Sequence, residues 1–441
     1  FLMKKYFFIT ITIISALIIC AFIYKISNSL NSINNNYYKI HLIFFSVILI
    51  GSIITIFLDN KKQDYIIIII ISIVFGLYIV ESYLSIYAPS DRLLKKKIKI
   101  YKKITGKSYD VRSKYEYYKD VQKNNKNIAL LIPPRFYPSE KIYSLSGISN
   151  VKTILCNELG YYSSYESDRY GFNNPDSEWD QSEIKYTIIG DSFAHGACVN
   201  RPYDIASNLR RLSKNSVLNL GYSGNGPLEE FATLREYLRP NVENILWLYY
   251  PNDLEDLIKE LKIDVLNKYL DNSKFNQNLI LKQKEIDHQA KKIILKKKRI
   301  NEFNYFQFIK LNNTRGLIYE LLPNKYKPSE TQIKIGQPLS KFSQILKKTK
   351  KLTSNNDSKL FFVYLPEYSQ YKKKYNDTNY QRIKKLVNEL EIPFIDLHSL
   401  VFQKEINPFN LFPFNLPGHY NKIGYKKISD AIHKSVIDMK N

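Results

Sequence analysis

Apolar residues crowd into the start of the chain and turn periodic only later, so the sequence divides by pattern before any motif is considered. Residues 6–24 form an uncharged apolar run bracketed by Lys4, Lys5 and Lys25, and residues 40–58 form another between Lys39 and Asp59. Residues 65–80 continue the pattern, reaching about Tyr87 if Glu81 is tolerated near an interface. Each run approaches the roughly 20 residues that a helix needs to cross a bilayer. The pattern predicts three transmembrane helices within residues 1–88. The first run also reads as a signal peptide, although no small-residue cleavage site follows Ile23 and two further apolar runs come after it.

Residues 89–181 are polar and tyrosine-rich, an approach segment with strand-like pieces such as 128–132. They include Ser167-Asp168-Arg169-Tyr170-Gly171-Phe172-Asn173-Asn174, whose Gly and Asn residues predict a tight turn, either at the rim of a site or as packing at the entrance to the next domain. From residue 182 to the end, strand-like runs at 186–189, 216–220, 244–248, 360–365 and 394–397 alternate with helix-like segments at 204–212, 227–238, 253–269, 378–390 and 424–439. That alternation predicts a parallel sheet with helices on both faces. About ninety residues lie between the helix-like segment 253–269 and the fourth strand, too many for a simple crossover, so a helical insertion is expected over about 270–350. It contains the lysine-rich stretch 282–299.

The chain has 441 residues, room for two or three domains, and an apolar share of 44% that can fill a sizeable core. Its 65 Lys and Arg against 41 Asp and Glu leave a net charge of +24. The lysines are scattered among Ile, Asn and Tyr, and no nucleic-acid motif or aromatic-basic repeat accompanies them, so no nucleic-acid partner is expected. Three cysteines fit neither a disulfide framework nor a zinc site. Cys20 lies in the first apolar run. Cys156 and Cys198 are either two buried thiols or a disulfide, which would call for an oxidising compartment. Topology is pulled both ways: Lys4 and Lys5 favour a cytoplasmic N-terminus and, after three spans, an external domain, whereas Arg92, Lys95, Lys96, Lys97 and Lys99 favour the reverse.

Ligands of an open parallel sheet gather at the carboxyl ends of its strands, and those loops carry the candidate chemistry here. After the first strand comes Gly190-Asp191-Ser192, a strand-to-helix turn that would expose a serine hydroxyl. After the second comes Gly221-Tyr222-Ser223-Gly224-Asn225-Gly226, whose glycines let backbone N–H groups approach a ligand. Asn252 follows the third, and His419 precedes the last helix. A serine hydroxyl is a poor nucleophile until an imidazole takes its proton, and the oxyanion that follows needs donors fixed in advance. Ser192 as nucleophile, His419 as base, and the Ser192 N–H, Gly224 N–H and Asn252 amide as donors meet those needs. His195 either lines the pocket or packs as a first-turn residue, and His398 is a lesser candidate for the base.

On these four loops the sequence resembles the SGNH (GDSL-type) hydrolases and the related polysaccharide O-acetyltransferases, from about Lys185 to the C-terminus without the insertion. The resemblance implies a flavodoxin-like three-layer α/β/α sandwich, here preceded by three transmembrane helices. It also implies an acyl-serine mechanism with no metal or organic cofactor, and Ser192, Gly224, Asn252 and His419 as the site. The expected substrate is an acylated glycan or other cell-envelope ester, reached from a bacterial inner membrane with the large domain outside; a transferase would need a membrane partner that supplies acyl groups. Two departures stand out. Tyr250 replaces a glycine of the third motif. Leu416 stands where the family has an aspartate three residues before its histidine, which leaves a Ser-His dyad held by a backbone carbonyl, a carboxylate from elsewhere such as Asp396, or a non-catalytic glycan-binding protein that kept the fold.

Overall fold

The computed structural model describes residues 2–28, 32–87, 92–137, 142–300, 308–321, 336–373 and 375–439. They fall into two units, residues 1–90 with 302–335, and residues 91–301 with 336–441.

The first unit holds α1 (Leu2–Asn28), α2 (Ser32–Ile56) and α3 (Asn60–Tyr87). Thr12 Oγ1 and Ser52 Oγ share a hydrogen bond of 2.8 Å between α1 and α2. The Gln63 amide closes the next turn by donating to the Thr55 and Leu58 carbonyls, both at 3.1 Å. Two stretches, Lys4–Tyr24 and Asn60–Ser85, are long and apolar enough to cross a membrane. Among the described residues the apolar part of α2, His41–Ile56, is shorter, so there the three expected spans narrow to two by length. Glu81 is fully buried and does more than tolerate its position. Its carboxylate accepts from the Thr314 N–H and hydroxyl, both at 2.8 Å, and from the Asn313 N–H and amide at 3.2 and 3.0 Å. It thereby caps the helix Asn312–Leu321, which lies within the expected insertion but belongs to the first unit.

The second unit begins with α4 (Arg92–Thr105) and α5 (Lys114–Asn124), the latter started by a reciprocal capping box between Ser113 and Glu116. A small sheet follows: β1 (Ile128–Leu130) parallel to β2 (Lys152–Ile154), which is antiparallel to β3 (Ser164–Glu166). The main domain then runs β4 (Ile184–Gly190), α6 (Ser192–His195), α7 (Ile205–Ser213), β5 (Val217–Asn219), α8 (Pro227–Tyr237), β6 (Val242–Tyr249), α9 (Asp253–Glu260), α10 (Asp264–Asp271), α11 (Gln283–Ile300), β7 (Lys359–Tyr364) and β8 (Phe394–Asp396). Its five strands are all parallel in the order β5-β4-β6-β7-β8. Renumbered within the sheet this is 2-1-3-4-5, the flavodoxin-like order, whose switch point lies beside the first strand.

Alternation along the strands builds the two outer layers. Tyr186 and Ile188, Leu246 and Leu248, and Phe361 and Val363 face one side with Ile205 and Leu209 of α7 and with Ile428, Ile432 and Val436 of the C-terminal helix Lys422–Asp438. On the other side Trp247, Tyr249 and Phe362 surround Phe342, with ring centroids 6.1, 5.5 and 6.1 Å away. Phe342 belongs to the helix Gly336–Ser354, so that helix is the crossover into β7 and the insertion is shorter than 270–350. The long helix expected over 253–269 breaks between α9 and α10. Glu260, the last residue of α9, turns in to accept from the Gly226, Leu228 and Glu229 N–H groups at 2.6, 2.9 and 3.3 Å and so caps α8.

Gly190 ends β4 at φ 149°, and a Cβ there would lie 2.7 Å from the Leu248 carbonyl oxygen and 2.8 Å from the Ala194 methyl. Gly190→Ala should therefore cost about 2–3 kcal/mol of stability. The check is a lower urea midpoint at unchanged slope; a wild-type midpoint would show that the turn yields freely.

Candidate active site

β4 delivers its chain to a sharp turn in which the Asp191 carboxylate accepts from the Phe193 N–H at 2.8 Å and starts α6. Ser192, next in line, presents its hydroxyl to His419, Oγ to Nε2 2.9 Å. His419 stands just ahead of the C-terminal helix, whose N-cap Asn421 accepts from the Gly424 N–H at 2.9 Å. The other ring nitrogen, Nδ1, lies 3.1 Å from Glu158 Oε1, while Glu158 Oε2 accepts from the His419 backbone N–H at 2.7 Å. One carboxylate thus fixes both the orientation of the ring and its tautomer, with the proton on Nδ1 and Nε2 open to the serine.

Glu158 sits in the approach segment, 261 residues from its partner, and several contacts hold it there. Asn157 Oδ1 accepts from the Gly160 N–H at 3.0 Å and its amide donates to the Asp110 carbonyl at 2.8 Å. Gly160, at φ 90°, lies under the Tyr101 ring of α4, whose nearest carbon would be 2.4 Å from a Cβ. On the facing loop a Cβ at Gly418 would stand 2.4 Å from Glu158 Oε2, so the glycine before His419 is what lets the carboxylate reach the backbone. A disulfide joins Cys156 to Cys198, two residues from Glu158 and six from Ser192.

Burial alone would raise the Glu158 carboxyl, but the charge and hydrogen bonds of His419, helped by Lys97, hold it below the ordinary carboxylate value. Burial likewise pulls the His419 imidazole down, and Glu158 outweighs it, leaving the ring above its usual range. Asp191 is pushed up to about 6 by burial, despite the Phe193 N–H and the nearby imidazole. Its Oδ2 lies 3.3 Å from Ser192 Oγ, a longer contact than the one to His419. Cys198 Sγ lies 3.7 Å from His419 Nδ1 and groups with Glu158 as a set of metal-type donors, but a sulfur held in a disulfide has no thiolate to offer.

The chain is remotely similar to ester hydrolases of known structure. A lipolytic protein of the G-D-S-L family from Desulfitobacterium hafniense shares 14% identity over 57% of this chain and 99% of its own, with a TM-score of 0.33. A lipase/acylhydrolase from Enterococcus faecalis shares 10% over 57% and 95%, TM-score 0.33. An acetylxylan esterase from Geobacillus stearothermophilus shares 12% over 57% and 94%, TM-score 0.32. No protein-family model matches the chain, and no curated protein is similar to it.

The structure brings Ser192, Asn252 and His419 to one cavity of about 450 Å³, walled also by Glu158, Phe193, Tyr250 and Tyr368. The Asn252 amide donates to Asp256 Oδ2 at 3.1 Å, which leaves its second N–H for a ligand. Gly224 does not line this cavity; it turns at φ 94° against Pro133. The Tyr250 ring stacks on Phe193 at 4.1 Å and forms a wall where a glycine would leave a gap.

His195 is buried away from the cavity, stacked on Tyr222, with Nδ1 accepting from the Ser223 N–H at 3.0 Å. Burial drops its pKa to about 3, so it stays neutral and anchors the loop that carries Gly224. His398 bonds Tyr371 and Gln403, and Asp396 caps the short helix Leu397–Leu400 and accepts from Tyr380 at 2.6 Å. Neither reaches the site. The 167–174 turn is packing, with buried Asp168 accepting from the Tyr170 and Phe172 N–H groups and from Trp179.

Two expectations follow. If the reaction runs through neutral His419, the acid limb of kcat/KM lies above the ordinary imidazole pKa, because the raised value keeps the ring protonated to higher pH. Glu158→Gln should cut kcat/KM by about 10²–10⁴-fold and move that limb down, read from pH–rate profiles. An unmoved limb would mean that the carboxylate does not govern the ring. Opening the disulfide by Cys156→Ser should remove about 4 kcal/mol of loop-closure stabilisation for its separation of 42 residues. It should also lower kcat by about 10²-fold through misplacement of Glu158, and unchanged kcat would show that the loop holds itself.

Proposed function

We propose that the chain is a membrane-anchored serine esterase or O-acyltransferase of the SGNH type, acting on acyl esters of cell-envelope glycans through an acyl-serine intermediate. The observation that carries this reading is the unbroken line from Ser192 Oγ to His419 Nε2, at 2.9 Å, and from His419 Nδ1 to Glu158, at 3.1 Å.

His419 takes the hydroxyl proton as Ser192 Oγ attacks the ester carbonyl, and Glu158 stabilises the imidazolium that forms. The oxyanion meets the Ser192 N–H, which starts α6 and has no acceptor among the described residues, and the free N–H of Asn252. Collapse returns the proton to the departing alcohol and leaves the acyl group on Ser192. Water then completes hydrolysis, or a sugar hydroxyl completes transfer, by the reverse proton path. Gly224 stands behind this set as the turn of the neighbouring loop.

The cavity wall suits a sugar ester. Tyr250 and Tyr368 line it with aromatic rings, and Glu367 and Lys372 line it with charged groups that can hydrogen-bond hydroxyls. Two helices long and apolar enough to cross a membrane support the anchor, and the Cys156–Cys198 disulfide fits an oxidising compartment outside the cytoplasm, hence an inner-membrane protein facing outward. A transferase of this kind draws its acyl groups from a membrane partner. Leu416 in the place of the acid favours the contrary reading, a glycan-binding protein without catalysis, and the contact of Glu158 with His419 from another loop supports catalysis instead.

A fluorophosphonate probe tests the mechanism. The wild-type chain should take one label, at Ser192, and Ser192→Ala none. Folded wild type that stays unlabelled overturns the covalent step.

A further inference from the structure

α4 has two faces with different employment. Lys95, Lys96, Lys99, Lys102 and Lys103 are all exposed, and none forms an ion pair among the described residues. Lys95, Lys99 and Lys103 recur every fourth residue, with Lys96 and Lys102 beside them, so the five make one stripe. The opposite face is turned to the catalytic domain. Lys97 is only 7% exposed and its charge acts on Glu158 and His419. Tyr101 covers Gly160 and meets the Phe414 ring edge-on at 6.1 Å. One helix therefore braces the turn that carries the acid and the loop that leads to the base.

We propose that the lysine stripe of α4 is a binding site for the phosphates of anionic phospholipid headgroups, holding the Glu158-bearing side of the catalytic domain at the bilayer surface. This rests on the reading that α3 crosses a membrane. Four residues, 88–91, separate α3 from α4, and an extended chain covers at most ~3.5 Å per residue, so chain length alone keeps the start of α4 within reach of the headgroups. Basic residues so placed each strengthen attachment to an anionic surface by about fivefold, within a Debye length. With no acidic partner among the described residues, the stripe keeps that attraction for an external anion.

The full chain in nanodiscs tests this, with an environment-sensitive fluorophore on Lys99→Cys in a Cys20→Ser background and a trace of phosphatidylcholine carrying a headgroup quencher. Quenching should be at least about threefold greater in discs that contain phosphatidylglycerol than in phosphatidylcholine alone, and high salt should abolish the difference. Adding Lys95→Gln, Lys96→Gln, Lys102→Gln and Lys103→Gln should abolish it too. The labelled chains should keep a common melting temperature, since these side chains are exposed and form no hydrogen bond or ion pair among the described residues. Equal quenching in both lipids, or a difference that survives the four substitutions, overturns the proposal. Soluble glycerol phosphate that relieves quenching at low millimolar concentration would assign the site to free phosphate and overturn the lipid source. Carbonate extraction of the chain from membranes would overturn the anchor instead, and fluorophosphonate labelling reports separately on the catalytic reading.

Discussion

The site depends on one carboxylate that grips a histidine twice, by its backbone N–H and by its ring. A single hydrogen bond to Nδ1 would set the tautomer yet leave the imidazole free to swing about its Cα–Cβ bond. The second, to the His419 N–H, fixes the loop itself relative to Glu158. That geometry is demanding, since both oxygens must approach backbone closely, and it explains features that otherwise look unconnected: the bare Gly418, the left-handed Gly160 under Tyr101, and the disulfide at Cys156. Each removes bulk or freedom from a loop outside the main sheet.

The sheet and the turn that carries Ser192 were legible because both are local. Strand runs of alternating or continuous apolar residues fix which positions meet the core, and the first strand must end where glycine permits the turn before Ser192. Asn252 and His419 follow from the same rule, as residues just beyond strands or before a helix. The placement of Phe342 was not legible. Its helix lies within a lysine-rich, weakly periodic stretch, and only the aromatic face of Trp247, Tyr249 and Phe362 shows that it is a layer of the sandwich.

Glu158 was missed for a different reason. Nothing in its neighbourhood marks a carboxylate as catalytic, and its partner is far away in the chain, so no spacing rule reaches it. The one available signal was the cysteine pair. A bond between Cys156 and Cys198 brings residue 158 near the turn that holds Ser192, and the nearest acid to Cys156 then becomes the natural answer to the gap at Leu416. The converse also holds: Asp396 looked eligible as a strand-end carboxylate, but such positions are also where helices begin, and its oxygens serve the His398 and Ser399 N–H groups and Tyr380.

Placing the acid outside the sheet changes what controls the chemistry. An aspartate three residues before the histidine shares its loop and moves with it, so the pair is insensitive to the rest of the chain. Here Glu158 is held by a turn packed under α4 and by the neighbouring disulfide, and His419 stands just ahead of the C-terminal helix. The contact between Glu158 and His419 forms where two separately anchored segments meet. Charge acts in the same direction, because Lys97 and His419 together keep Glu158 ionised despite its burial, and an ionised Glu158 is what raises the imidazole. Below the unfolded imidazole pKa the pair's stabilisation from the raised histidine is complete, and it fades as pH climbs through the folded value; the lowered carboxyl contributes above its unfolded value and fades as pH falls through its own. The two segments are therefore drawn together most strongly at mildly acidic pH, where the histidine is charged and unable to act as base. Catalysis at higher pH has to rely on the neutral hydrogen bond, the glycines and the disulfide to keep them joined.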